Sequence, residues 1–386
     1  MGGLIRTPLI RGGRDLRVDL ARGIALWFIF VDHVPGNVLG QLTIRNVLLC
    51  DATEVFVLLA GYAAGVAYGR QMEREGWLRA GTRVAGRCFT LYVAHIFLFV
   101  VFTAQVGYSA ATLDASAYLD EMHLDPFGDA PYLALLKALL LSYQPAFLNI
   151  LPLYVVVLGL FALALPLLRR PGLMLGASLL LYGVARLGEV NLPSWTGGGW
   201  FFNPFAWQLL FAIGAVLGGG GPNVERGGVR WRPWLGAACG AVLLLSFAAT
   251  LVIYLRRDLI GLLPLPVATV VDAVDKSALH PFRLLSILAL AYLVAHGVPR
   301  GAAWLGGALA RPFVLIGQQG LPVFCAGIFL SFLGRLALEW REGWEMQIGV
   351  NVAGLGALVA IAAVVAWADA RPPKPALPPA PALDTA

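Results

Sequence analysis

Arg22 and His33 stand eleven residues apart in a segment that is otherwise strongly apolar. At about 100° per residue, eleven positions make three helical turns, so the two share a face about 16 Å apart along the axis. Asp32 precedes His33. Asp15 and Asp19 stack one turn apart on the Arg22 face, and Asp19 can pair with Arg22 at i+3. An imidazole that titrates near neutrality beside a carboxylate is equipped to move protons. Farther on, Glu54 opens one apolar run, and Arg83 and Arg87 repeat on one face at the start of the next. Each of these has an ordinary explanation too. Arg22 can anchor a helix by reaching the interface, Asp32 and His33 can be a solvated helix end before Pro35, and Arg83 and Arg87 can set topology. Ionisable residues inside long apolar runs are expensive, however, and by default they mark function.

The elements that carry these residues are membrane helices. Of 386 residues 59% are apolar and 13% charged, about half the charged share of a soluble domain, and mean hydropathy is +0.76. So few charges cannot cover a water-facing surface, and in lipid every backbone polar group needs an internal partner. The apolar runs, such as 151–168 and 355–368, are continuous rather than alternating, which excludes a barrel. The chain therefore reads as all-α and polytopic, with about ten spans near 18–38, 51–69, 84–107, 148–168, 172–187, 204–219, 234–255, 281–298, 312–334 and 347–368. The spans near 172–187 and 204–219 are short. Residues 1–17 read as a cytoplasmic segment, the first span as an anchor rather than a removed signal peptide, and the proline-rich stretch 371–386 as a disordered tail.

With both termini assigned to the cytoplasm, most of the 28 basic residues fall on that side, while Asp114, Asp120, Glu121, Asp125, Asp129, Glu339, Glu342 and Glu345 fall outside. Arg256 and Arg257, which fall outside, are the weak point of this assignment. The net charge of +6 thus reflects topology, and no basic stretch interleaves with aromatics as a nucleic-acid groove does. Cys50, Cys88, Cys239 and Cys325 sit in or beside apolar runs without a paired spacing. They read as small buried hydrophobes, and no metal is expected. Residues 132–143 of the long outer loop suggest a short amphipathic helix on the membrane. Trp195, Trp200, Phe201 and Phe202 suggest an interfacial belt, with a sugar-stacking platform as the alternative. Gly61 and Gly65 form a small-residue packing face. No internal repeat is found, which counts against a carrier.

Arg22 with His33, then Glu54, Phe56, Val57, Gly61 and Tyr62, then Arg87 opening the third span, resemble the membrane-bound acyltransferases that O-acylate extracellular glycans. The fuller set of Arg14, Asp15, Arg17, Asp19 and Gly23, with Pro35, Gly36, Asn37, Thr43, Arg45 and Asn46, resembles one branch of these, the OpgC family. Gln144-Pro145, 151–154, 203–208, His280-Pro281 with Arg283, and 321–324 agree, so the resemblance runs from about residue 12 to 370. It departs at Thr90, where the wider group has proline, and at Asn149 and Gly320, where a more acidic residue and a serine are expected. None of these is expected to touch the Arg22–His33 pair.

The resemblance implies that 18–370 is a membrane acyltransferase domain of the bacterial inner membrane. It would move a succinyl group from succinyl-CoA, a cosubstrate rather than a bound cofactor, to hydroxyls of an osmoregulated periplasmic glucan. His33 would be the general base, Glu54 the carboxylate that orients it in preference to Asp32, and Arg22, Arg87 and Arg83 the donor-binding groups. Acylation of another cell-surface glycan is an alternative within this class. A proton-coupled transporter using Asp32 and His33 as a relay is the alternative outside it.

Overall fold

The computed structural model describes residues 15–219, 229–255 and 274–370. The described residues are helical apart from their turns and connecting segments, with one isolated bridge between Pro193 and Gly199. The helices are α1 (Leu16–Asp32), α2 (Ile44–Val47), α3 (Ala52–Glu75), α4 (Trp77–Thr112), α5 (Ala117–Glu121), α6 (Asp125–Asp129), α7 (Pro131–Leu139), α8 (Ile150–Ala164), α9 (Pro171–Leu187), α10 (Pro204–Gly219) and α11 (Pro233–Leu255). After the next undescribed stretch come α12 (Pro281–Gly297), α13 (Arg311–Gln318), α14 (Gly320–Trp340) and α15 (Trp344–Asp369). Each expected span falls on one of them, except that at 312–334, which falls on two. Six are long and apolar enough to cross a membrane: α3, α4, α8 with its continuation to Arg169, α11, α14 and α15. α9, α10 and α12 are apolar but shorter, and α1 carries the charges already described. The segment expected as one span at 312–334 is two helices, broken at Gln319. Arg256, Arg257, residues 1–14 and the tail from 371 lie outside the described residues.

Local sequence sets the boundaries that matter for the site. Asp51 and Glu54 form a reciprocal capping box that starts α3. Gly76, at φ +83°, turns the chain sharply from α3 into α4. The start of α1 is tied down by Arg17, which bonds Asp15 and donates to the Ala295 and Val298 carbonyls at 2.8 Å each. Burial pushes the Asp15 carboxyl up, but the hydrogen bond and charge of Arg17, with Arg300 behind, outweigh it and hold the group below its ordinary range.

Two close crossings place the site. Gly61 and Gly65 of α3 lie against the backbone of α10 at Phe211 and Ala215, and Gly214 and Gly218 of α10 lie against Leu58 and Tyr62 of α3. A methyl group at any of the four would overlap a carbonyl oxygen, so the packing reading of Gly61 and Gly65 holds. Gly23 of α1 meets the Phe313 carbonyl of α13, and Gly317 of α13 meets that of Asp19. That contact carries Arg22 to the break between α13 and α14.

Other expectations are corrected. Trp200 and Phe202 are buried, and Trp195 packs edge-on against Tyr143 with ring centroids 5.3 Å apart. Only Phe201 of the four rings is largely exposed, so three of them pack inward instead of forming an exposed belt or platform. In α7 the small residues Ala134 and Ala138 face inward, while Tyr132, Leu136 and other large apolar residues face outward. The short helix expected at 132–143 is thus present over Pro131–Leu139, with large apolar residues on its outer face instead of polar ones. All four thiols are free.

Candidate active site

Arg22 does not reach outward as a topology anchor does. Its side chain turns into the bundle, with NH1 3.4 Å from the Gly317 carbonyl, NH2 3.4 Å from the Leu59 carbonyl and Asp19 3.9 Å away. Gln318 donates to the same Asp19 at 3.3 Å. Backbone carbonyls are available there because α13 ends at Gln318 and α14 begins afresh, which leaves main-chain groups outside any helix ladder. Non-helical backbone inside a membrane bundle is tolerated where it lines a cavity, and a cavity of about 250 Å³ lies here. Arg22, Arg87, Tyr68, Tyr154, Gln318 and Gly320 give it polar and backbone surface. Ala60, Ala63, Ala64 and Ala67 of α3 make one wall, and the small side chains along that face keep the space open.

Two sequence expectations meet in this cavity, and two fail beside it. Arg22 and Arg87, 65 residues apart in the chain, line the same space. Arg83 does not: its side chain is 61% exposed and pairs with Glu75 at 3.3 Å, one turn outside the cavity. α4 continues well past the apolar run, so its first turns lie beyond the cavity, and the nearest acid captures Arg83. Gly320, expected away from the pair, sits against the Arg22 side chain, with room for a methyl group only at 3.5 Å from Cδ. The departure from the family pattern at this position is therefore inside the arginine site.

The other end of α1 is built differently. His33 caps the helix, its backbone N–H returning to Ile29 and its ring Nδ1 lying 2.6 Å from the same carbonyl. A carbonyl only accepts, so Nδ1 carries the proton and Nε2 keeps its lone pair. Phe147 stands edge-on to the ring at 4.4 Å, on a backbone with φ of +70°. A non-glycine residue in that region costs energy and needs its surroundings to hold it. Asp32 points the other way and accepts from Thr43 Oγ1 at 2.7 Å. The turn beyond is braced by α15: Asn37 and Asn351 exchange amide hydrogen bonds of 3.0 and 2.9 Å, and Gln347 bonds Val38 N and the Gly36 carbonyl. The motif residues Gly36, Asn37, Thr43 and Asn46 thus hold the turn after His33.

Glu54 is not the partner of His33. Its carboxylate, fully buried, is taken by Arg283 at 2.7 Å and by the Asp51 backbone N–H at 3.0 Å. Asp51 in turn binds Arg283 at 3.1 Å and Lys276 at 2.6 Å. The imidazole is oriented by the Ile29 carbonyl instead. Reading from spacing missed Arg283 and Lys276 as members of this cluster. Arg283 had a signal, a charge in the first turn of an apolar helix. Lys276 had none until its segment was placed, by Trp207 donating to the Ser277 carbonyl at 3.0 Å and Arg186 to the Ala278 carbonyl at 2.8 Å.

The described residues hold no group of histidines, cysteines and carboxylates fit for a metal ion. What they hold is a cavity lined by two arginines at one end of α1 and an imidazole whose Nε2 keeps its lone pair at the other, about 16 Å apart along the axis. The family model described as OpgC protein matches residues 14–370. The chain belongs to the OpgC family. No curated protein and no solved structure matches it. Membership in the OpgC family implies acyltransferase activity in general, in a multi-pass membrane protein.

Proposed function

We propose that this OpgC-family chain transfers a succinyl group from succinyl-CoA to a hydroxyl of a periplasmic glucan. The observation that carries the reading is the shared cavity of Arg22 and Arg87, set on the His33 face of α1. Planar guanidinium groups suit the phosphates of a nucleotide donor or the free carboxylate of a succinyl group. A sugar hydroxyl has a pKa far above 7 and needs a base, which His33 Nε2 supplies. The hydroxyl oxygen attacks the thioester carbonyl as its proton passes to Nε2. The carbon–sulfur bond breaks, the ester forms, and the proton leaves with the thiol of coenzyme A. The Ile29 carbonyl at Nδ1 fixes the tautomer that this sequence needs.

In this reading the helices make ten spans of the bacterial inner membrane with both termini in the cytoplasm. The distribution of arginines and acids supports that orientation. It also places Arg22 and Arg87 toward the side where acyl-CoA is made, and His33 toward the exported glucan. Purified protein given labelled succinyl-CoA and a periplasmic glucan tests the assignment. Label is expected in the glucan as an alkali-labile ester. Transfer to a different cell-surface glycan alone would replace the acceptor, and binding of no acyl-CoA at all would overturn the reading.

A further inference from the structure

His95 lies in the middle of α4 and is fully buried, and neither ring nitrogen has a hydrogen-bond partner. Among the described residues it is the one side chain with two such buried orphan atoms. Gln105 and Thr103, on the same helix, each leave a single atom unpaired, and Gln105 also donates to the Phe329 carbonyl. A buried polar group without a partner is costly and calls for an account.

Its place in the fold supplies one. Arg87, Leu91 and His95 follow at i, i+4 and i+8, so they share one face of α4. Arg87 and Leu91 line the arginine cavity, and His95 is the next turn, about 12 Å beyond Arg87. Cys88, next to Arg87, meets Val155 of α8, while Phe99, one turn past His95, packs on Tyr143, four residues before the Phe147 that edges His33. The cavity holds about 250 Å³, below the roughly 300–1,000 Å³ usual for small-molecule sites. A donor gripped at Arg22 and Arg87 with its acyl end at His33 needs more room, in the direction of His95.

Resting on the donor reading above, we infer that His95 is a ligand-binding residue. When the donor enters, the cavity extends one turn along α4, and the imidazole hydrogen-bonds an amide of the arm that joins the nucleotide to the thioester. Amides offer both N–H and C=O, and neutral imidazole has one nitrogen to accept and one to donate.

Calorimetry on the purified full chain tests this with two probes, coenzyme A and 3′-phosphoadenosine 5′-diphosphate, which lacks the arm. His95→Leu is expected to weaken coenzyme A at least tenfold, to leave the arm-less nucleotide unchanged, and not to lower Tm, because an apolar side chain removes the orphan atoms. His95→Gln, which keeps a donor and an acceptor, is expected to retain most of the affinity and covers the case in which leucine is not accommodated. Coenzyme A binding equal to wild type in His95→Leu would overturn the inference. So would equal weakening of both probes with a lowered Tm, which marks a structural role. If the wild-type protein bound neither probe, the donor reading itself would fail and take this inference with it.

Discussion

The two ends of α1 handle charge in opposite ways. At the Arg22 end, two arginines face a cavity walled by alanines, and Arg22 lies 3.4 Å from two backbone carbonyls. At the His33 end, Asp51, Glu54, Lys276 and Arg283 close on one another at 2.6–3.1 Å, and the following turn is laced to α15 by paired amides. The difference fits the two tasks. Under the proposed function the Arg22 end has to admit a donor, whereas a base is effective only when held in one tautomer and one place. Substitutions at the two ends are therefore expected to fail in different measurements.

The largest effect is expected at His33. His33→Ala should lower kcat by about 10²–10⁴-fold while coenzyme A binding stays at the wild-type level. Loss of binding in parallel with turnover would erase the distinction between the ends. Next comes Arg283, whose loss leaves Asp51 and Glu54 short of a buried partner. Arg283→Met is expected to cost about 3–5 kcal/mol of stability, read as a lowered Tm in detergent. Glu54→Leu combined with Arg283→Met should recover much of it. If Glu54 oriented His33 instead, the double variant would stay as inactive as His33→Ala after its stability had returned.

Arg22→Lys sharpens the contrast at the cavity. It keeps the charge and loses the planar fork, so the donor KM should rise about tenfold or more with a smaller change in kcat. An unchanged KM would return Arg22 to the role of a membrane anchor. The smallest effect is expected at Asp15, away from both sites. Its carboxyl is held below its ordinary range, so its contribution to stability is present above an ordinary aspartate pKa of about 4 and is lost as pH falls through the lowered value. The Tm gap between wild type and Asp15→Asn should be widest at neutral pH and shrink in acid. A gap independent of pH would show that the carboxyl charge is not its source.

Much of this architecture was legible because long apolar runs in lipid leave helices as the outcome, and the runs fall on the helices, although α4 starts seven residues before its run and the run at 312–334 is split. Arg22 and Arg87 were legible because a charge in such a run needs a reason. The break at Gln319 carried a fainter sign: Pro322 cannot continue a helix ladder from the preceding turn and suits a first turn instead. The bond between Glu54 and Arg283 joins residues 229 positions apart, and no local pattern reaches that far. Arg83 misled because helical spacing places it on the Arg87 face but does not show that Glu75 folds back to meet it. His95 carries the signal that marked Arg22, an ionisable residue deep in an apolar run, yet its lack of a partner is visible only once the helices are packed.

The account stands on one claim, that the two ends of α1 serve a donor on one side of the membrane and an acceptor on the other. Sealed vesicles containing the protein, with labelled succinyl-CoA on one face and glucan on the opposite face, test it most directly. The account predicts ester formation when the donor is on the cytoplasmic face and the glucan across the membrane, and none when the two are exchanged. Transfer that required both substrates on the same face would contradict it.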